Sequence, residues 1–538
     1  MLKFGTSNIG KVFAGTSAVA GVYSGNNLIW SSAVPETVFN VSKITSNVYA
    51  NSTTYNNCKF LGFSVLAKAG QTAEVTYGGI TKTVTRPTGI GADQYVKVTF
   101  GQYGADADDG TPDTGNITFK NVDGIGGFSF NTAKNTSAYA GGCFNSVVDW
   151  GGLKYIGPDF LRGSSITSFT VGGRVTDLDI AAFRQTQQLT SLTLGASVQS
   201  VITNTTGSLL AAVAPFIDCS NLNIYVDANS QYFSAQNGAL YNKNKTELCF
   251  VPYASASSSY SVSSSVTTIG RGAFYGRTLT SITLNNVTKL EGAAFSSCSN
   301  LATVTGFSNI TYIETQAFSN CSLTTINLSQ NLSYLGSSAF TNCPITSITF
   351  NGYVGTQASL AGAFSGLGSA AATGRTIVCN ANIPDHLFDA GSLASFSTKN
   401  LTLNGVITIG NYAFNKVNFI EDGTINLGNS LTTIGSYAFA NGSVTDASGT
   451  ASSSLTVEIP ASVTSMGDFS VNTFNNINDF GVRAAYPPSV SDSGIEIFAT
   501  DYAGLGENLK IYVPDDSLAD YQSEWYGLVD FMEGVIGW

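Results

Sequence analysis

The sequence predicts a mainly β chain. A solenoid of stacked coils follows a small β-sandwich-like domain and short N-terminal β-hairpins. Three observations predict this. Composition is the first: of 538 residues 43% are hydrophobic, 11% are charged and 57 are glycine. Average soluble domains carry about 25% charge, while a disordered chain would be poorer in apolar residues. Gly, Ser, Thr and Asn are weak helix formers, which argues against a helical bundle. The other two observations are a repeated strand motif and a repeated corner motif.

The strand motif is apolar-x-x-apolar-x-apolar. It reads Leu279-Thr-Ser-Ile-Thr-Leu284, Leu323-Thr-Thr-Ile-Asn-Leu328 and Ile345-Thr-Ser-Ile-Thr-Phe350, with earlier copies at Leu189–Leu194 and Ile166–Val171. Its last three positions alternate, so two anchors point inward and the residue between them outward. The corner motif, apolar-Gly-x-x-Ala-Phe, follows each strand. It closes on Phe274, Phe340, Phe414 and Phe439, and two copies carry Glu291 and Glu314 in the Gly slot. With Phe295, Phe318, Phe364 and Phe388, the rings recur every 21–26 residues. That is the span of one solenoid coil. A single coil cannot bury its own apolar side, so stacked coils must share one core.

These motifs resemble the BspA-like class of leucine-rich repeats, found in bacterial surface adhesins and in bacteriophage proteins. Leu222–Asp227, Asn237–Asn242, Thr246–Leu248 and Val251-Pro252 resemble the hairpin insertion of that class. Leu509–Pro514 with Leu518, Tyr521 and Trp525 resembles its terminal strand and cap. The resemblance covers about residues 145–538 and implies a leucine-rich-repeat solenoid with an adhesive role. The coils between Asn351 and Asn400 are degenerate, and Asn441–Ser454 is expected to protrude as a loop.

The expected domains are attachment hairpins over 1–32, a β-sandwich-like module over 33–140, the solenoid over 141–508 and a cap over 509–538. In the first, Lys11-Val-Phe-Ala-Gly15 is echoed by Gly21-Val-Tyr-Ser-Gly25 before Trp30. Such short β runs cannot support their own core and are expected to dock elsewhere. The segment resembles N-terminal modules of phage tail and fibre proteins. That resemblance implies virion attachment through Val12, Phe13, Val22, Tyr23 and Trp30. In the second domain, strands are expected at Thr37–Val41, Phe60–Ala67, Ala73–Tyr77, Lys82–Thr85, Tyr95–Phe100 and Asn116–Phe119.

Composition also excludes functions. The net charge is −11 and no Lys/Arg cluster is present, which disfavours nucleic acid. The longest apolar run, near Leu209–Ile217, is far short of the ~18 residues of a membrane span. Neither a secretory leader nor a terminal anchor is visible. The acidic stretch Asp501–Trp538 is expected to be a solvated end-cap.

The eight cysteines show no C-x-x-C spacing. Cys219, Cys298, Cys321 and Cys343 each lie three residues after a repeat Phe and are expected to be small buried hydrophobes. The acidic loop Asp106–Asp113 lacks the spacing and closing Glu of an EF-hand and is expected to be a solvated turn. His386 is the one histidine, so any Ser-His or Cys-His nucleophile must use it. It is expected to be a turn residue, and neither cofactor nor metal is expected.

Stacking aligns Ser191, Thr193, Ser281, Thr283, Thr325, Asn327, Ser347 and Thr349 into an uncharged, hydroxyl-rich face. Simple solvation of Thr-rich strands accounts for such a face. The functional reading is contact with a host-surface glycan or protein. The chain is therefore expected to be a non-enzymatic bacteriophage virion protein, a tail or head fibre or surface decoration. It would join other virion proteins through its N-terminus and form a homo-oligomer. The alternative is a cell-surface adhesin of a bacterium or protist, and a third reading is a polysaccharide depolymerase.

Overall fold

The computed structural model describes residues 36–50, 53–86, 95–102, 107–127, 140–179, 182–201, 216, 219, 221–253, 258–355, 360, 362–364, 366–367, 374–389, 396–446, 448–475, 477–490, 495–499, 505–506 and 508–535, with 3–4, 7–8, 21–24 and 27–31. Of these, 3–4, 7–8, 21–24, 27–31, 45–50, 53–57, 140–141, 396 and 495 are described by backbone alone. The chain divides into two compact units, Met1–Gly238 and Ala239–Trp538. The mainly β solenoid architecture is present, with one short α-helix, Leu518–Glu524, among the described residues.

The first unit opens with two small antiparallel pairs, Lys3–Phe4 with Ser7–Asn8 and Gly21–Ser24 with Asn27–Ser31. Two sheets follow. One runs in the order Phe144–Asp149, Thr37–Ser42, Thr114–Lys120, Thr72–Tyr77, Ile80–Thr85, antiparallel throughout. The other joins Val96–Gly101, Thr53–Ala67 and Val122–Gly126 antiparallel, and Ile44–Ala50 folds back on Thr53–Ala67. Residues alternate buried and half-buried along Thr37–Ser42, as a one-face strand requires. The strand at Phe144–Asp149 pairs with Thr37–Ser42, although it lies beyond the boundary expected at residue 140.

Coils begin on the second of these sheets. Val122–Gly126 takes a parallel neighbour, Tyr155–Ile156, which in turn takes Asp177–Leu178. The sandwich edge is thus covered by the first coil instead of being left open for association. A tight aromatic core spans the junction. Phe39 lies 5.5 Å from Phe119, 5.4 Å from Phe144 and 5.7 Å from Phe160, mostly in tilted or edge geometry.

In the second unit Ala239–Asn242 and Glu247–Phe250 form an antiparallel hairpin, and parallel coils follow. Two strand ladders run side by side. The longer strands form three sheets, beginning at Ser259–Ser261, Thr325–Leu328 and Thr456–Ile459. The two-residue strands continue the hairpin through Thr268–Ile269, Lys289–Leu290, Tyr312–Ile313 and Tyr334–Leu335, and resume at Thr408–Ile409.

The corner phenylalanines stack in one file. Centroids are 4.9 Å apart for Phe274–Phe295, 5.2 Å for Phe295–Phe318 and 5.0 Å for Phe414–Phe439. The degenerate coils keep the file, with Phe340–Phe364 at 5.6 Å and Phe364–Phe388 at 5.2 Å.

Among the described residues, the corners of the second unit are left-handed two residues before the Phe. Ala293, Gln316, Ser338, His386, Tyr412 and Tyr437 all have φ between 55° and 61° there, and Phe469 has φ 53° two residues before Val471, which stands in the Phe position. Side chains seldom adopt this region. What holds it is a set of axial hydrogen bonds. The N–H groups of Ala293, Phe295 and Ser297 donate to the carbonyls of Thr315, Ala317 and Ser319 in the next coil. The same rule gives Tyr412 to Ser436, Phe414 to Ala438 and Lys416 to Ala440.

The Asn441–Ser454 segment does not simply protrude. Val444–Thr445 adds parallel to Phe419–Ile420, Thr445 bridges Ala451 antiparallel, and Ser452 donates to the Glu421 carboxylate. The C-terminal helix closes the last coil. Tyr521 donates to the Ala484 carbonyl at 2.8 Å and Trp525 Nε1 to the Pro488 carbonyl at 3.0 Å, both side chains fully buried. No helix among the described residues is long and apolar enough to cross a membrane. Of the apolar run near Leu209–Ile217, only Phe216 is described.

Candidate binding face

The outward positions of the long strands lie in register. In the first unit Ser168, Ser191 and Asn223 form one file, and Thr170, Thr193 and Tyr225 the next. In the second unit Ser259, Ser281 and Thr303 align, as do Ser261, Thr283 and Thr305. Further along, Thr325, Ser347, Thr376 and Asn400 align beside Asn327, Thr349 and Val378. All eight expected face residues are therefore on outward slots. Thr325 and Asn327 are exposed and the other six are half-buried.

The face is not one broad sheet. A 3-10 turn at Phe307–Asn309 separates the sheet holding Ser281 and Thr283 from the sheet holding Thr325 to Thr349. Ser191 and Thr193 belong to the first unit. Amides reinforce the rim beside these strands. Asn351 donates to Asn327 Oδ1 at 2.6 Å, Asn380 to Asn351 Oδ1 at 2.8 Å and Asn404 to Asn380 Oδ1 at 2.8 Å. An Asn directly after the strand, as in Phe350-Asn351, Cys379-Asn380 and Leu403-Asn404, was the sequence signal for this ladder.

The last sheet of the face is charged. Thr456, Asp479 and Lys510 share one file, while Glu458 and Gly481 precede Tyr512 and Glu533 in the other. Arg483 pairs with Glu458 at 2.7 Å and Lys510 with Glu533 at 2.8 Å. Sequence reasoning placed Glu533 in a solvated cap over Asp501–Trp538, because only the ladder register shows that it continues the face.

The other candidates resolve as structural groups. Cys298, Cys321 and Cys343 donate to the carbonyls of Phe274, Phe295 and Phe318 at 2.9, 3.2 and 3.0 Å. Cys219 does the same to Phe183 at 2.9 Å in the first unit. Burial pushes the Cys298 thiol up to about 12, so it stays protonated and unreactive.

His386 Nδ1 lies 2.8 Å from Asp389 Oδ2, and its ring stacks on Tyr412 with centroids 4.9 Å apart. The other Asp389 oxygen accepts from Asn415 at 3.0 Å. In the acidic loop, Lys59 pairs with Asp113 at 2.7 Å, Lys43 lies 3.5 Å from Asp108, and Asp109 accepts from the Thr111 N–H at 3.1 Å. Hydrogen bonding to Lys59 lowers the Asp113 pKa. No group of three or more metal-ligating side chains occurs among the described residues. Val12 and Phe13 lie outside the described residues, and Val22, Tyr23 and Trp30 sit on the hairpin backbone.

Comparison with known proteins decides the family. The BspA type leucine rich repeat region matches in six copies over residues 113–206, 246–361 and 381–499, more than half of the chain. The chain belongs to the BspA type leucine-rich repeat family. Membership defines a repeat and not a reaction.

Solved structures similar to this BspA type chain include three bacterial proteins. The pneumococcal vaccine antigen PcpA is 16% identical, over 72% of this chain and 65% of that one, with a TM-score of 0.32. A leucine-rich repeat protein from Bacteroides ovatus is 17% identical, over 77% and 94%, with a TM-score of 0.36. A leucine rich cell surface protein from Faecalibacterium prausnitzii is 18% identical, over 71% and 94%, with a TM-score of 0.30. This chain thus spans 65% of the pneumococcal antigen's length. No curated protein matches the chain.

Proposed function

We propose that this BspA type chain is a non-enzymatic contact protein of a bacteriophage particle, a fibre or surface decoration that touches its target through the outward face of the long strands. The observation that carries the contact role is the register of that face. Thr325, Ser347, Thr376 and Asn400 repeat one polar slot on consecutive strands, beside Asn327 and Thr349. A rigid row of donors and acceptors binds through many weak bonds, and several copies on one particle would multiply the effect.

The N-terminal hairpins, which resemble phage fibre modules, supply the attachment end. The same face serves a cell-surface adhesin equally well, and membership of a family with surface adhesins favours that as the second reading. Mass spectrometry of purified particles, with and without deletion of residues 1–32, tests the first. Full-length protein is expected in particles and the truncated form is expected to be lost from them. Its absence from particles together with recovery in a cell envelope fraction would replace the virion role with the adhesin role.

A further inference from the structure

We propose that Asn404-Gly405 is a self-modifying site, which loses ammonia through a succinimide and turns the end of the amide ladder into a carboxylate. The inference goes beyond the contact role and does not depend on what the face binds. The chain holds four Asn-Gly pairs, beginning at Asn237, Asn351, Asn404 and Asn441. Glycine after asparagine favours the reaction, because no side chain screens the attacking amide nitrogen. All four pairs share that local chemistry, so the fold decides which one reacts.

Three of the four are held. Asn351 donates to Asn327 Oδ1 at 2.6 Å and to the Leu328 carbonyl at 2.7 Å, and its own Oδ1 accepts from Asn380 at 2.8 Å. At Asn441 the side-chain amide donates to Asn415 Oδ1 at 2.7 Å. The nitrogen that would attack there, Gly442 N–H, donates to Thr473 Oγ1 at 3.2 Å. Asn237 and Gly238 are both left-handed, at φ 51° and 76°, and a Cβ on Gly238 would lie 2.3 Å from Asn223 Oδ1. That turn is too crowded to swing the Gly238 nitrogen onto Asn237 Cγ.

Asn404 is open. It ends the ladder: its amide donates to Asn380 Oδ1 at 2.8 Å, and the pairing of Thr402 with Asn426 puts Gly428, which has no side chain, in the equivalent slot of the next coil. Asn404 and Gly405 are exposed, nothing lies within 4 Å of a Cβ built on Gly405, and the Gly405 N–H has no partner among the described residues. The step balances within chain and solvent. Hydroxide takes the Gly405 amide proton, the nitrogen bonds to Asn404 Cγ, and the bond from Cγ to Nδ2 breaks with release of ammonia. Water then opens the ring at either carbonyl, to aspartate or isoaspartate. The product has no Nδ2 to donate, so its carboxylate and Asn380 Oδ1 meet as two acceptors.

The test incubates full-length native protein in heavy-oxygen water, at mildly alkaline and mildly acidic pH, and maps its peptides by mass spectrometry. Label is expected at Asn404 before the other three sites, at least about tenfold faster than at Asn351 and Asn441, and faster at the alkaline pH. In urea, with the ladder gone, the four rates are expected to converge within a few-fold. Asn380→Ala, which frees the Asn404 amide, is expected to speed the site a few-fold. Asn404→Gln, which would have to close a larger ring, is expected to silence it. The aged wild type is expected to elute with Asn404→Asp on anion exchange.

Labelling of Asn237, Asn351 or Asn441 ahead of Asn404 in the native protein would overturn the inference. So would an Asn404 that stays unlabelled after the urea-unfolded chain has reacted. Thermal melts of each variant separate altered reactivity from loss of the fold.

Discussion

At the scale of single residues, one slot explains four of the eight cysteines. Three residues after the corner Phe, the side chain meets a carbonyl of the preceding coil. Thr186 fills the slot by donating to Leu161 at 3.0 Å, Arg277 by donating to Val251 at 2.7 Å, and Cys219, Cys298, Cys321 and Cys343 through their thiols. In these six coils the slot takes a hydrogen-bond donor, which is more than the small hydrophobe that the sequence alone suggests, while Leu367, Val417 and Gly442 occupy it in other coils.

Cys298→Ala is therefore expected to cost about 1–2 kcal/mol, the bond plus the void, in urea unfolding. Cys298→Thr, which keeps a donor, costs less. The pH dependence follows from the thiol held up at about 12 in the folded chain. An unfolded cysteine ionises near about 8.5. The slot's contribution is full below that value and is lost as pH rises toward the folded value. A urea midpoint for the Cys298→Ala variant that falls as steeply as the wild type between those limits would contradict this.

At the scale of the repeating element, the corner has a price in backbone strain. Gln316 sits at φ 57°, where Gly272 and Gly362 stand in other coils at 62° and 78°. Gln316→Gly is expected to be neutral or stabilising by up to about 1 kcal/mol, and Gln316→Val to destabilise by about 1–2 kcal/mol. Paired denaturant curves read both signs.

The strands, the Phe file and the corner were legible because each imposes a chemical period on the chain. The left-handed residues were not, since Ala, Gln, Ser, His and Tyr share no property that marks the conformation. Hydrogen bonds to the next coil impose it. The strands Ile44–Ala50, Val122–Gly126 and Phe144–Asp149 escaped for a related reason: partners distant in sequence define them. The eight face residues followed from alternation alone. The charged sheet around Asp479 and Tyr512 did not, because its coils lack the Leu-Thr-Ser-Ile-Thr-Leu signature.

At the scale of the whole molecule, repeat arrays must hide their last apolar coil. Here Trp525 and Tyr521 do so, both fully buried and both bonded to the carbonyls of the preceding chain. Trp525→Ala is expected to lower stability by about 3–5 kcal/mol and to shift the protein toward aggregates in size-exclusion chromatography. A monomeric variant with an unchanged melting temperature would show that the cap is dispensable.

The corner also gives the second unit an electrical sense. Alternate N–H groups of each corner, such as those of Ala293, Phe295 and Ser297, point toward later coils, while the N–H of the Gly slot, as at Glu291 and Gly435, points to the earlier one, so the forward set is the larger. Peptide moments so arranged add head to tail, as they do along an α-helix, and leave a positive pole at the far end. That pole lies on the side of the closing segment that carries Asp515, Asp516, Asp520 and Glu524. Those acids thus sit where a field from the backbone favours them, and a longer array would call for a more strongly anionic terminus.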